Sequence, residues 1–203
     1  PEPMLHVVDN LLPTDLLGAL RQLCLVHGEL KQTYPGDALF SWCADDARTM
    51  RSIHAPEQRQ LMERYLNDHL LPVTTPFCPQ RAGVEWWCNV NNDLDWHIDK
   101  DEIEGRRSGA YVLPLLSTVF YPHVSCAGGE LLLADNPPIP TGHTGPLPQF
   151  RSVISIPPVR NRLVLFSPGL LHRINAFEGE RYSVAVNIWA QEPLTTSASA
   201  PPV

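Results

Sequence analysis

From residue 82 onward the chain breaks into short apolar runs, each bounded by Gly, Pro, Asn or Asp. Runs this short, rich in β-branched and aromatic residues and closed by turn formers, read as strands. The pattern predicts strands near 83–90, 94–99, 109–121, 129–134, 150–156, 161–166, 170–176 and 182–190. Pro114 interrupts the third, because proline cannot donate to a sheet ladder; a bulge or an edge position would accommodate it. Two helical patterns precede the strands. Leu16, Leu17, Leu20, Leu23 and Cys24 recur at helical spacing behind an N-cap at Thr14 or Asp15, with Gly28 as the expected end. Pro56 opens a second helix whose buried face is marked by Leu61, Met62, Tyr65, Leu66, His69 and Leu70, and Pro72 is expected to stop it. The segment around Trp42 matches neither pattern.

Helices followed by a succession of strands predict a mostly β fold with flanking helices. We expect a jelly-roll or cupin-like double-stranded β-helix with the N-terminal helices packed on one sheet. The 203 residues, 43% hydrophobic and 18% charged, are enough for one domain with a sizeable core. The expected domain spans 1–191, with a helical part over about 1–80 and a barrel over about 82–191. Asp135 to Gln149 is a proline-stiffened loop. Glu192 to Val203, rich in Pro, Ser, Thr and Ala, is expected to be a disordered tail.

A formal charge of -7 and the lack of a basic run longer than Arg106-Arg107 argue against a nucleic-acid partner. No apolar stretch is long enough for a bilayer, so no membrane partner is expected. Pro1-Glu2-Pro3-Met4 has neither the basic nor the apolar region of a secretory signal. The five cysteines, Cys24, Cys43, Cys78, Cys88 and Cys126, are odd in number and form no C-x-x-C pair. They read as reduced, mostly buried thiols, which predicts a cytoplasmic protein.

One short motif carries chemistry. Alternate residues of a strand share a face. His97 and Asp99, either side of Ile98, therefore offer an imidazole nitrogen and a carboxylate oxygen in the same direction. A second imidazole from a later strand would complete a 2-His-1-carboxylate facial triad, the set that leaves coordination positions open in non-heme Fe(II) oxygenases. His172, after the buried run Leu163 to Phe166 and the turn Ser167-Pro168-Gly169, is the candidate. A solvent-facing polar strand alternates in the same way, and a histidine placed like His172 also serves as a hydrogen-bonded core residue. Arg181 opens a strand with an apolar alternate face. An inward arginine there is costly unless paired, and a dicarboxylate would pair it through parallel charge-assisted hydrogen bonds. Ser183, on the same face, would donate to the same carboxylate. The competing assignments are a surface ion pair of Arg181 with Glu178 or Glu180, and an ordinary strand serine.

Taken together, His97-x-Asp99, His172 and Arg181 resemble the 2-oxoglutarate and Fe(II)-dependent oxygenases. Arg-Tyr followed by alternating apolar residues, nine positions after His172, resembles the prolyl-hydroxylase-like branch. So do Gly128-Gly129-Glu130-Leu131 and Asn161-Arg162-Leu163-Val164-Leu165-Phe166. The likeness covers roughly residues 84 to 190. It implies Fe(II) held by His97, Asp99 and His172 as catalytic metal ligands, with 2-oxoglutarate and dioxygen as cosubstrates and ascorbate as a candidate reductant. It implies that Arg181 binds the distal carboxylate of 2-oxoglutarate. Tyr121 is placed near the same carboxylate by the likeness, with a half-buried strand aromatic as the competing assignment. Trp87, ten residues before His97, matches another cosubstrate-contacting aromatic. The activity implied is hydroxylation of an unactivated C–H with succinate and carbon dioxide as coproducts. The chain's small size favours a small polar metabolite or amino acid as substrate. The alternatives are a peptidyl residue such as proline in a protein partner, and a non-oxygenase cupin-like metal module or zinc hydrolase.

Overall fold

The computed structural model describes residues 4–46, 49–91 and 94–197. In chain order the elements begin with β1 (Leu5–Asp9), α1 (Thr14–Thr33), a 3-10 turn (Gly36–Leu39), β2 (Ser41–Ala44) and β3 (Met50–Arg51). Next come α2 (Pro56–Arg64), a π-helical stretch (Tyr65–Leu70), α3 (Leu71–Thr74), β4 (Gly83–Val90), β5 (Leu94–His97) and α4 (Glu102–Ser108). The rest is β6 (Leu116–Gly128), β7 (Leu131–Ala134), β8 (Val153–Ile156), β9 (Arg162–Phe166), β10 (His172–Ile174), β11 (Phe177–Trp189) and α5 (Leu194–Ser197). Among the described residues, no helix is long and apolar enough to cross a membrane.

The strands pair antiparallel in two sheets. The larger runs β1-β9-β6-β11-β4-β2-β3 and the smaller β5-β10-β7-β8. This is the mostly β, double-stranded β-helix architecture that the strand pattern predicts. Alternation along β11 divides its side chains between two environments. Tyr182, Val184, Val186 and Ile188 share a core with Leu16, Leu20 and Leu23 of α1, so the helices cover one face of the larger sheet. The other face packs on the smaller sheet, where Tyr121, Val164 and Phe166 meet Leu131, Leu133 and Ile156. Each of these fully buried large side chains contributes roughly 1.5–3 kcal/mol of transfer free energy.

Several expected boundaries move, each for a local reason. Gly28 does not end α1, which runs to Thr33; the residues after it are good helix formers, and the stop comes where Pro35 biases Tyr34 to its extended ψ of 139°. Pro72 does not stop the second helix. The wider π-helical turns just before it accommodate the missing N–H, and helix resumes as α3. The strand expected over 109–121 begins only at Leu116, beyond Pro114, and extends to Gly128. The charged stretch after Asp99 forms α4, capped by the Asp101 carboxylate accepting from the Glu104 N–H at 3.1 Å and closed by Gly109 at φ 77°.

The tail expected from Glu192 is, as far as Ser197, packed on the domain. Asp101 is buried and takes the Leu194 N–H at 2.6 Å and the Thr195 hydroxyl at 3.2 Å, while Glu192 pairs with Arg51. A buried carboxylate needs donors, and α5 supplies them. Residues 198–203, and Asn92 and Asp93, lie outside the described residues.

Under α1, His27 and His54 are both buried and share a hydrogen bond of 2.8 Å between His27 Nδ1 and His54 Nε2. Burial pushes His27 down to about 3 and lowers His54 too. Both rings are therefore neutral when folded and take up protons more readily when unfolded. Stability is fully present above the unfolded histidine value near 6.5 and is lost as pH falls from there towards 3. Urea denaturation at a series of pH values should show this acid-side loss, and His27→Gln should flatten it. An unchanged slope in the variant would refute the assignment.

Candidate metal centre

β5 and β10 are neighbours, and their register sets His172 opposite His97. The two imidazole centroids are 4.2 Å apart. Asp99 follows on the His97 side, while Ile98 points away into a separate apolar cluster with Leu171, Ala134 and Ile139. Asp99 Oδ1 lies 3.5 Å from His97 Nε2 and 3.4 Å from His172 Nε2. One ligand atom from each of the three residues lies within 4.8 Å of the others.

The tautomers suit a cation. His97 Nδ1 is 2.7 Å from the Asp95 carbonyl, and His172 Nδ1 is 3.0 Å from the Leu170 carbonyl. A carbonyl only accepts, so each Nδ1 carries the hydrogen, and in the neutral ring each Nε2 presents a lone pair. Backbone carbonyls orient metal-ligating histidines in the same manner. Burial alone would push the Asp99 carboxyl up, but His172 and His97 beside it outweigh burial and hold it well below the ordinary carboxylate range. Burial likewise opposes charge on His97, and Asp99 overcomes it and raises that ring. Two imidazole lone pairs and an ionised carboxylate converging on one point fit a divalent ion with open positions.

Arg181 lies across the barrel on the inward face of β11, 1% exposed. Its Nε donates to the Gly129 carbonyl at 2.9 Å and Nη2 to the Tyr121 hydroxyl at 3.1 Å, while Nη1 is buried with no partner. Gly129 can approach this closely because it has no Cβ; one added there would stand 2.9 Å from Arg181 Cδ, and φ is 78°. The surface ion pair is not made with Glu180, which takes the Tyr182 hydroxyl at 2.7 Å and His123 at 3.4 Å. No carboxylate pairs with Arg181 among the described residues.

Tyr121 meets Arg181 beside a bulge. Tyr182 pairs with His123 and Val184 with Phe120, so Ser183 alone faces two residues, Tyr121 and Pro122. Pro122 cannot donate to the ladder, and the extra residue brings Val124 to the inward face that Tyr121 already holds by alternation from Phe120. Ser183 is buried on the same face of β11 as Arg181. Trp87, on β4, makes an edge contact with Phe40, the ring centroids 4.9 Å apart.

A cavity of about 440 Å³ opens on His97 and Asp99 and is walled by Leu39, Phe40, Trp87 and Leu94. Three of its residues escape a reading of the sequence alone: His27, Glu85 and Asn187. Glu85 is an acid alternating within an apolar strand, and that was the available signal. It is 3% exposed and accepts from the Trp189 indole N–H at 3.3 Å. Burial dominates this contact and pushes its carboxyl up to about 8.

The fold is shared with solved oxygenases. A prolyl-4-hydroxylase from Pseudomonas putida superposes with a TM-score of 0.58 at 14% identity, over 93% of this chain and 88% of that one. A prolyl hydroxylase from Trichoplax adhaerens, in complex with a hypoxia inducible factor peptide fragment, gives 0.54 at 14% identity, over 97% and 87%. HygX from Streptomyces hygroscopicus, with nickel and 2-oxoglutarate bound, gives 0.53 at 14% identity, over 92% and 83%. At this identity the likeness speaks for the fold. No curated protein matches the sequence. Residues 85–189, from β4 to the end of β11 and more than half of the chain, match the family model described as the 2OG-Fe(II) oxygenase superfamily. The chain belongs to that superfamily, whose members use Fe(II) and 2-oxoglutarate.

Proposed function

We propose that this enzyme hydroxylates an unactivated C–H bond of a small polar metabolite or amino acid, with His97, Asp99 and His172 holding Fe(II). Arg181, Tyr121 and Ser183 bind the distal carboxylate of 2-oxoglutarate. The observation that carries this reading is the unpartnered, buried Nη1 of Arg181 in the same barrel as the His-Asp-His cluster. A guanidinium held on one edge by Gly129 and Tyr121 keeps its remaining N–H for a carboxylate, whereas a hydrolytic zinc centre has no use for such a group. When bound, Fe(II) with 2-oxoglutarate and dioxygen supplies C–H oxidation, giving succinate and carbon dioxide as coproducts.

The chain's own residues orient and exclude. The Asp95 and Leu170 carbonyls fix the two imidazoles. Leu39, Phe40 and Trp87 give the cavity that His97 and Asp99 line apolar walls, which limit its water. A volume of about 440 Å³ lies within the range of roughly 300–1,000 Å³ usual for small-molecule sites, which supports a small substrate over a peptidyl one. The free thiols of Cys24, Cys43, Cys78 and Cys88 fit a reducing, cytoplasmic setting.

The test is succinate formation dependent on Fe(II), 2-oxoglutarate and oxygen. It is run with a panel of amino acids, small metabolites and proline-containing peptides, each followed by mass spectrometry for a gain of one oxygen atom. We expect the gain on a small molecule. A gain confined to peptides transfers the activity to a peptidyl substrate, and no iron-dependent turnover of 2-oxoglutarate at all overturns the reading.

A further inference from the structure

The β4 wall of the cavity holds an acid without a cationic partner among the described residues. The other acidic side chains lining the cavity are matched: Asp37 by Arg106 at 2.5 Å, Glu102 by Lys100 at 3.7 Å, and Asp99 by its two imidazoles. Glu85 has only neutral donors, the Trp189 indole and the Asn187 amide, and no cationic partner among the described residues. A carboxyl buried in this way is normally paired or neutralised.

Phe40 and Trp87 line the same cavity and touch edge to face, aromatic surface that tolerates or attracts a cation.

Glu85 and Arg181 both sit on inward positions of the paired strands β4 and β11. Glu85 is in register with Asn187, six residues along β11 from Arg181 and so roughly 20 Å away at the usual strand rise. The barrel thus carries a fixed cation towards one end of β11 and an unmatched acid towards the other. We propose that Glu85 selects a substrate bearing a protonated amine, which sits in the cavity with its carbon skeleton against Phe40 and Trp87. The ammonium donates to the Glu85 carboxylate, and its charge offsets the burial of that group. This rests on the hydroxylase reading of the same cavity and narrows its substrate class to amines and amino acids.

Cyclohexylamine and cyclohexanol have the same ring and differ in charge, and they serve as probes. Each is titrated by ligand-observed NMR into the full chain with Fe(II) and 2-oxoglutarate under anaerobic conditions, and the visible band of the chelate is recorded on the same samples. The amine should bind at least about tenfold more tightly than the alcohol, and Glu85→Gln should bring the two within about twofold. Equal binding by the unaltered protein, binding of neither probe at millimolar concentration, or an amine preference that survives Glu85→Gln overturns the proposal. The amine–alcohol comparison on the unaltered protein decides the matter even where the variant does not fold. A missing chelate band with the amine preference intact refutes the oxygenase reading and upholds the amine subsite; a normal band with no preference does the reverse.

Discussion

Asp99→Ala loses the metal. Asp99 is the single anion between two imidazoles, with Oδ1 3.5 Å and 3.4 Å from their Nε2 atoms. Without it the two neutral rings have no charge to set against a divalent ion. Altering groups that only support metal ligands costs roughly 10- to 100-fold in affinity, and removing a charged ligand should cost more than that. Succinate release should fall to background with it. The measurement is Mn(II) binding followed by electron paramagnetic resonance, alongside Fe(II)-dependent turnover. Circular dichroism and the urea midpoint separate a lost metal from a lost fold. We expect the fold to survive, because Asp99 lies on a cavity wall and the buried apolar contact on this segment is made by Ile98. Retained Mn(II) affinity in a folded Asp99→Ala protein would remove Asp99 from the ligand set.

The elements that were legible in the sequence are those whose burial follows a simple period. β4 was delimited as 83–90 because apolar residues run through it between turn formers, and β9 was placed to within one residue; β11 was placed at its C-terminal end, while its start lies five residues earlier than the expected 182. β1 and β3 lie at the two edges of the larger sheet, and their half-exposed side chains leave no alternation to detect. α4 carried every local helix signal, with Asp101 as cap, Glu102 and Glu104 in the first turn, Arg106 and Arg107 in the last and Gly109 beyond. With no residue of it buried, it had no apolar periodicity to mark it as a helix. In the site, the alternation of His97 and Asp99 is a property of three adjacent residues and can be read locally. The meeting of Tyr121 and Arg181 is not local, since it depends on how β6 pairs with β11, where Tyr121 and Pro122 together face Ser183 and set Val124 opposite Arg181. A register slip of one residue reverses a strand's faces, and sequence alone does not locate such a slip. Glu85 was passed over for a related reason: a strand acid is usually solvated, and only the pairing with β11 on one side and β2 on the other buries it.

Arg181→Ala separates the cosubstrate site from the metal site. The guanidinium makes two hydrogen bonds inside the protein and holds Nη1 unpaired. A carboxylate accepting from it gains a charge-assisted contact of about 1.5–3 kcal/mol, so its loss should weaken 2-oxoglutarate binding roughly tenfold to a hundredfold. His97 and His172 lie on β5 and β10 and Asp99 just beyond β5, apart from β11, so Mn(II) affinity should stay close to that of the unaltered protein. Some stability is lost as well. The Gly129 carbonyl and the Tyr121 hydroxyl lose their donor in a buried site, each at a cost of order 1–3 kcal/mol where water cannot replace it. Arg181→Lys supplies the control, since it keeps the charge without the planar fork. It should fall between the unaltered protein and the alanine variant in 2-oxoglutarate affinity. Isothermal titration of 2-oxoglutarate into Mn(II)-loaded protein gives all three affinities, and a parallel metal titration gives the comparison. Should Arg181→Ala abolish metal binding and leave 2-oxoglutarate affinity untouched, Arg181 would be a support of the metal cluster and the carboxylate would have to be sought elsewhere in the barrel.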